Sequence, residues 1–236
     1  MADIQPVLLI PALYCSARLF EAQIPALWGT GPITIANHCQ GDSIAEIAAQ
    51  VLANAPPRFA LAGLSMGGYT ALEIMRQAPE RVTRLALLNT SARSDAPEIT
   101  RGRLDSIRMV EREGFERYLD QSWLLAVAPA RRDDVVLRAL YNRIAWDVGP
   151  EKFIRQQQAI GRRRDSRPYL GAIRCPTWVL VGEDDLATPP HLAEEMRDAI
   201  AGAELRVIPR CGHLSTIERP EAVTQALLEW LSPAAG

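Results

Sequence analysis

The chain has 236 residues, of which 48% are hydrophobic and 23% charged, as expected for one globular domain or for one domain carrying an insertion. Its formal net charge of -2 gives no general attraction to nucleic acid or to an anionic membrane, so we expect neither as a partner. The N-terminus lacks the basic region and long apolar core of a signal peptide, and the four cysteines show no zinc or redox spacing. These features predict a cytoplasmic protein with reduced thiols and no bound metal.

The first part of the chain alternates between short apolar runs and helical patterns. The predicted strands are 7–10, 33–36, 59–62 and 82–88, and the predicted helices among them are 44–53 and 66–78. Residues 7–10 form an unbroken apolar run, which is typical of a strand buried on both faces of a parallel sheet. Strands that alternate with helices require crossover connections, and therefore predict a parallel sheet with helices on both faces.

The alternation stops between residues 95 and 169, where no run rich in β-branched residues occurs. This stretch contains only helical patterns, at 98–112, 115–127, 130–146 and 150–161. The first of them has a narrow apolar stripe and many charges, which favours a helix that covers a surface. We predict that 95–169 form a helical lid, or cap, inserted in a core made of 1–94 and 170–236.

The sheet pattern resumes after the helical stretch. Two further strands are predicted at 177–181 and 205–208, with helices at 190–200 and 220–231. The sequence therefore predicts an α/β fold with a mostly parallel sheet of about six strands.

The stretch Gly63-Leu64-Ser65-Met66-Gly67-Gly68 separates a predicted buried strand from a predicted helix. In that context a Gly-x-Ser-x-Gly sequence predicts a sharp turn that presents the serine hydroxyl at the end of the strand. The helix N-terminus behind the turn offers free N–H groups to a developing negative charge. Ser65 is therefore the candidate nucleophile.

A serine nucleophile needs a base that is itself oriented by a third group. Of the three histidines, His38 lies in an early turn and His191 in the first turn of a helix that we expect at the surface. His213 lies in a loop after the last strand and is the candidate base. Asp184 and Asp185 both follow the strand 177–181, so the residues alone leave two candidates for the acid.

These motifs resemble those of the α/β-hydrolase superfamily, in the same chain order of serine, acid and histidine. The resemblance implies that Asp185 is the acid, because it stands three residues after Gly182 and four before Pro189. It also implies that the N–H groups of Leu13 and Met66 form an oxyanion hole. The chain departs from the family at Pro11-Ala12, where His-Gly is common.

In size and in its helical lid the chain is similar to small esterases such as the biotin-pathway carboxylesterase, and to hydrolases of ring-cleavage products. This similarity implies a cofactor-free enzyme that hydrolyses small-molecule carboxylic esters of small to medium acyl groups through an acyl-serine. The alternatives are a carbon–carbon bond hydrolase, a lactonase, a perhydrolase or a catalytically silent receptor for a small ligand. The sequence makes no prediction of oligomeric state.

Overall fold

A computed structural model describes residues 5–232 of the chain. Its centre is a six-stranded sheet in which every strand pair is parallel. The strands are β1 (Val7–Ile10), β2 (Ile33–Ile35), β3 (Phe59–Leu64), β4 (Val82–Leu88), β5 (Thr177–Gly182) and β6 (Glu204–Ile208). The predicted fold class is therefore confirmed, and β3 runs two residues further than the predicted strand.

The strands lie side by side in the order β2-β1-β3-β4-β5-β6. The chain moves outward from β1 to β2, then returns past β1 to β3 and continues in the opposite direction. The order of connection thus reverses between β1 and β3. In open parallel sheets such a reversal leaves a crevice at the carboxyl ends of the two strands. The segments that follow Ile10 and Leu64 border this crevice.

Within the described residues, eleven α-helices surround the sheet. They are α1 (Ile24–Leu27), α2 (Ile44–Asn54), α3 (Met66–Gln77), α4 (Pro97–Glu113), α5 (Phe115–Ala126), α6 (Val135–Val148), α7 (Pro150–Gly161), α8 (Arg167–Leu170), α9 (Pro190–Ala199), α10 (Ser215–Glu218) and α11 (Pro220–Leu231). Among residues 5–232, none of these helices has both the length and the apolar character needed to cross a membrane.

The sheet divides the apolar interior into two clusters, because successive side chains of a strand point to opposite faces. Val7 and Leu9 of β1 belong to the cluster that includes Trp230 of α11. Leu8 and Ile10 belong to the cluster on the other face, which includes residues of α2, α3 and α9. Both faces of β1 are buried, as its unbroken apolar run predicts.

The stretch between β4 and β5 contains α4 to α8 and no strand. Only Ile107 and Val110 of the 17-residue α4 are buried, which fits its narrow apolar stripe. The predicted helix 130–146 is wrong at its start, because a short 3-10 turn at Pro129–Arg131 precedes α6. The carboxylate of Asp134 caps α6 by accepting hydrogen bonds from the N–H groups of Val136 and Leu137, so the helix cannot begin earlier.

Candidate active site

Ser65 lies at the turn between β3 and α3, with φ 55° and ψ -112°. This left-handed backbone is costly for a residue with a side chain, and it turns the serine out of the strand direction. A Cβ atom at Gly63 would overlap the carbonyl group of Gly67, and one at Gly67 would overlap that of Ile10. The turn therefore forms only with glycine at both positions.

The turn places the hydroxyl of Ser65 next to a histidine from the far end of the chain. The Oγ atom of Ser65 lies 2.9 Å from Nε2 of His213, which follows β6. On its other side the His213 ring approaches Asp185, with Nδ1 3.0 Å from Oδ2 and 3.1 Å from Oδ1. The three side chains thus form a continuous series of hydrogen bonds.

Asp185 is buried and accepts several hydrogen bonds besides that of His213. The N–H groups of Ala187 and Thr188 donate to Oδ1 at 2.9 and 2.8 Å, and the hydroxyl of Thr188 donates to Oδ2 at 2.8 Å. Burial opposes ionisation, but His213 and these donors outweigh it and hold the pKa of Asp185 below its ordinary value. The carboxylate is therefore ionised at neutral pH. Asp184 is half-buried and lies next to this network.

Asn89 directly follows β4 and connects the two loops that carry Asp185 and His213. Its Nδ2 group donates to Oδ2 of Asp185 at 2.9 Å and to the carbonyl of Gly212 at 3.2 Å. Its Oδ1 atom accepts a hydrogen bond from the hydroxyl of Ser215 at 2.6 Å. Sequence reasoning missed Asn89, and a polar residue at the end of an apolar strand was the signal that could have identified it.

The His213 loop is also held by Glu218, whose side chain is buried. One carboxylate oxygen accepts from the N–H of Gly212 and the other from the N–H of Ala128 at 2.7 Å. The N–H of Leu214 donates to the carbonyl of Ala126 at 2.9 Å. The loop after β6 is therefore anchored to the segment that follows α5.

The two backbone N–H groups predicted to form the oxyanion hole, those of Leu13 and Met66, have no protein partner within residues 5–232. Met66 is the first residue of α3, where an N–H group has no partner within the helix. Within residues 5–232, no protein hydrogen bond uses the N–H of Leu13, whereas that of Tyr14 donates to Oε1 of Gln156 at 2.8 Å. Both predicted oxyanion donors therefore keep an unused N–H group.

The other two histidines lie apart from the Ser65 hydroxyl. His38 is buried, and its Nε2 group donates to the carbonyl of Ala12 at 2.9 Å. Burial lowers the pKa of His38 to about 4, so its ring is neutral at pH 7. The ring thereby supports the loop that carries Leu13. His191 is exposed in the first turn of α9.

A cavity of about 460 Å³ opens beside Ser65 and His213. Leu13, Ile160 and Leu214 give it apolar walls, and helices α4, α5 and α7 supply other lining residues. Its volume lies within the range usual for small-molecule sites. In the part of the chain that the structure describes, no group of three or more His, Cys, Asp or Glu residues could hold a metal ion.

Comparison with known proteins identifies the family. The model described as "Alpha/beta hydrolase family" matches residues 7–226. BpoC of Mycobacterium tuberculosis, which is named for a non-heme bromoperoxidase, is 31% identical over 207 residues, covering 80% of this chain and 74% of that protein. The pimeloyl-[acyl-carrier protein] methyl ester esterase of Nitrosomonas europaea is 28% identical over 213 residues, covering 86% of this chain and 81% of the esterase.

Among solved structures, the enol-lactonase from Burkholderia xenovorans LB400 superimposes with a TM-score of 0.88 at 25% identity. The match covers 98% of this chain and 92% of the lactonase. The matched proteins share the fold but carry the names of different reactions, so the family does not specify a substrate. The chain therefore belongs to the alpha/beta hydrolase family and is a hydrolytic enzyme.

Proposed function

We propose that the protein is a serine hydrolase that cleaves carboxylic esters of small to medium acyl groups through an acyl-serine intermediate. The observation that carries this proposal is the continuous series of hydrogen bonds from Ser65 through His213 to Asp185. Ser65 and His213 line a cavity together with Leu13, and in the described residues the N–H groups of Leu13 and of Met66, which follows Ser65, are unused. Ester hydrolysis needs only a nucleophile, a base and oxyanion donors, and Ser65, His213 and the N–H groups of Leu13 and Met66 are the candidates for these roles.

In the first half of the reaction, Oγ of Ser65 attacks the ester carbonyl while Nε2 of His213 accepts the hydroxyl proton. The ionised Asp185 holds the other proton on Nδ1 and stabilises the imidazolium that forms. The N–H groups of Leu13 and Met66 donate to the oxyanion of the tetrahedral intermediate. His213 then gives its proton to the departing alcohol, and the acyl group stays on Ser65.

In the second half, His213 accepts a proton from a water molecule that attacks the acyl carbonyl. The tetrahedral intermediate collapses, the carboxylic acid leaves, and the proton returns from His213 to Oγ of Ser65. The left-handed backbone at Ser65 supports this cycle, because it places Oγ at the turn beside His213, first as a hydroxyl and then as the acyl-bearing oxygen.

We also propose that residues 95–169 act as a cap that selects the acyl group. In support, the cavity is lined by Arg103 of α4, Ser122 of α5 and Gln157 of α7, and all three helices lie within residues 95–169. A cavity of this size accepts an acyl chain of modest length. We therefore expect kcat/KM to rise from acetyl to butyryl or hexanoyl esters and then to fall.

A fluorophosphonate tests the assignment of the nucleophile directly. The reagent should form a covalent bond to Oγ of Ser65 with loss of fluoride, because a phosphonyl group imitates the tetrahedral intermediate. Peptide mass spectrometry would locate the adduct, and Ser65→Ala protein is the control that should remain unlabelled. Ester turnover that persists after complete labelling, or labelling at another residue, would contradict the proposal.

Lactone hydrolysis is the second candidate, favoured by the similarity to an enol-lactonase. A lactone is a cyclic ester, so the same steps would open it and leave both products in one molecule. A panel of open-chain esters and lactones of equal carbon number separates the two candidates by kcat/KM. A folded protein that hydrolyses neither would favour a carbon–carbon bond hydrolase or a silent receptor.

A further inference from the structure

The cavity beside Ser65 contains a positive charge that the ester chemistry does not use. Arg103 of α4 lines this cavity, and only 17% of its side chain is exposed. Its Nε and Nη2 groups donate to the carboxylate of Asp95, and its Nη1 group donates to Oε1 of Gln157 at 2.7 Å. The guanidinium group is thus held rigidly in the cavity wall.

A second arginine shares the same carboxylate. Nη1 of Arg163 lies 2.6 Å from Oδ1 of Asp95, and only 8% of the Arg163 side chain is exposed. Burial opposes the charge of Asp95, but the two arginines outweigh it and hold the pKa of Asp95 below its ordinary value. Asp95 is therefore ionised, and two guanidinium groups share one carboxylate.

No second carboxylate balances this cluster within residues 5–232, where Asp95 is the only acidic partner of Arg103 and of Arg163. Glu98 also lines the cavity, but it is exposed and forms no ion pair with them in that part of the chain. Asp95, Arg103 and Arg163 together carry one positive charge in excess, and of the two arginines only Arg103 lines the cavity beside Ser65. This excess charge would attract an anion to the guanidinium group of Arg103.

Two neighbouring donors are available to an anion. The hydrogen bonds of Arg103 use three of its five N–H groups and leave two. Gln157 is buried, its Oε1 atom is held by Arg103, and no hydrogen bond within the described residues uses its Nε2 group. Both side chains line the cavity. Paired N–H donors of this kind match the two oxygens of a carboxylate.

We propose that Arg103 and Gln157 bind a carboxylate at the end of the substrate remote from the reacting ester, so that the substrates are monoesters of dicarboxylic acids. The inference rests on the proposed ester hydrolysis and adds the substrate class. A single uncompensated charge suits a carboxylate better than a phosphate dianion. Leu13, Ile160 and Leu214 leave an apolar path for the methylene chain that joins the two ends.

The test compares two p-nitrophenyl esters of equal length, the monoester of adipic acid and the ester of hexanoic acid. They differ only in a carboxylate that replaces the terminal methyl group. In Arg103→Met the ratio of kcat/KM for adipate over hexanoate should fall about tenfold or more, because a charge-assisted hydrogen bond is lost. Arg103→Lys should restore part of the ratio, since it retains the charge but not the paired donors.

Arg163→Met is the matched control. It breaks the other ion pair of Asp95, but Arg163 does not line the cavity that contains Ser65. Its adipate-to-hexanoate ratio should fall less than that of Arg103→Met, because it removes charge at longer range and leaves the donors of Arg103 and Gln157 in place. An unchanged ratio in Arg103→Met, or equal losses in both variants, would show a purely structural cluster and overturn the proposal.

A binding measurement separates this inference from the proposed function. Calorimetry with free adipate and Ser65→Ala protein should detect binding that weakens about tenfold or more when Arg103→Met is added. If wild type hydrolyses no ester but this binding is observed, ester hydrolysis fails and the carboxylate subsite stands. If esters are hydrolysed but adipate binds equally well with and without Arg103, the subsite fails alone.

Discussion

The carboxyl edge of the sheet and the helices between β4 and β5 are built in different ways. At the sheet edge, Ser65 and Asp185 are buried. The hydroxyl of Thr90 donates to the carbonyl of Ser65, and the buried Asn89 donates both to Asp185 and to the carbonyl of Gly212 beside His213. By contrast, α4 buries only Ile107 and Val110 along its 17 residues. The sheet edge therefore has little room to vary in position, whereas the exposed positions of α4 that line the cavity can exchange side chains at small cost. We therefore expect reaction chemistry in the first region and substrate choice in the second.

The largest effect should come from the nucleophile. Ser65→Ala should lower kcat by about three or more orders of magnitude, because only oxyanion stabilisation and binding would remain. Steady-state kinetics with a chromogenic butyrate ester, together with circular dichroism to verify the fold, would measure this. Turnover close to that of wild type would show that Ser65 is not the nucleophile and that the reaction does not take place at this edge of the sheet.

The two adjacent aspartates provide an internal control within one loop. Asp185→Asn should lower kcat about a thousandfold or more, because an amide favours the wrong tautomer of His213. Asp184→Asn should change kcat less than about threefold, since the carboxylate that hydrogen-bonds to the His213 ring is that of Asp185. A larger loss in Asp184→Asn than in Asp185→Asn would mean that the motif register, and with it the assignment of the acid, is wrong.

The helical stretch should affect selectivity more than rate. Gly102 in α4 lines the cavity, and a Cβ atom there would meet nothing within 4 Å. Gly102→Leu should therefore fill the cavity and lower kcat/KM for hexanoyl relative to acetyl esters, by about fourfold for each excluded methylene. Gly161→Leu is the control, because Gly161 is equally open but lies outside this cavity.

Equal losses on all acyl lengths in Gly102→Leu would contradict this division of roles. They would indicate that α4 belongs to the structural core and does not select the acyl group. An altered chain-length preference in Gly161→Leu would likewise show that the preference depends on helix stability and not on the volume of the cavity.

The smallest expected effect is a change in how stability depends on pH. It acts through His38, which hydrogen-bonds to the loop that carries Leu13. The pKa of His38 is lowered to about 4 in the folded protein, so the unfolded chain binds more protons between that pH and the ordinary histidine value of about 6.5. Stability should therefore fall as pH decreases through this window, by up to about 1.4 kcal/mol per pH unit. His38→Gln should flatten this dependence in urea unfolding, whereas the exposed His191→Gln should not.

Urea unfolding of both variants at several pH values between 4 and 6.5 tests whether His38 causes this pH dependence. If His38→Gln retains the full slope between pH 4 and 6.5, then other groups cause it and His38 does not support the loop as a neutral donor.

Much of the fold follows from local pattern. The bounds of β1 and β4 were predicted to the residue, because each is an unbroken or nearly unbroken apolar run between breaking residues. The start of α6 was not predicted, since residues 130–134 contain no glycine or proline that would mark a break, and the cap formed by Asp134 sets the start of the helix. Periodicity reports which face is apolar, but it does not report where a side chain competes for the backbone N–H groups.

Short apolar runs and glycine spacing were enough to predict about six mostly parallel strands, the turn at Ser65 and the candidate His213, whereas the choice of Asp185 over Asp184 came from the resemblance to the family. The contacts between distant segments became visible only in the folded chain. Asn89 joins the loops of Asp185 and His213, Glu218 joins Gly212 to Ala128, and Asp95 joins Arg103 to Arg163. The physical reason is that hydrogen bonds and ion pairs depend on distances set by packing across the whole chain, and these distances leave no periodic signal in the sequence.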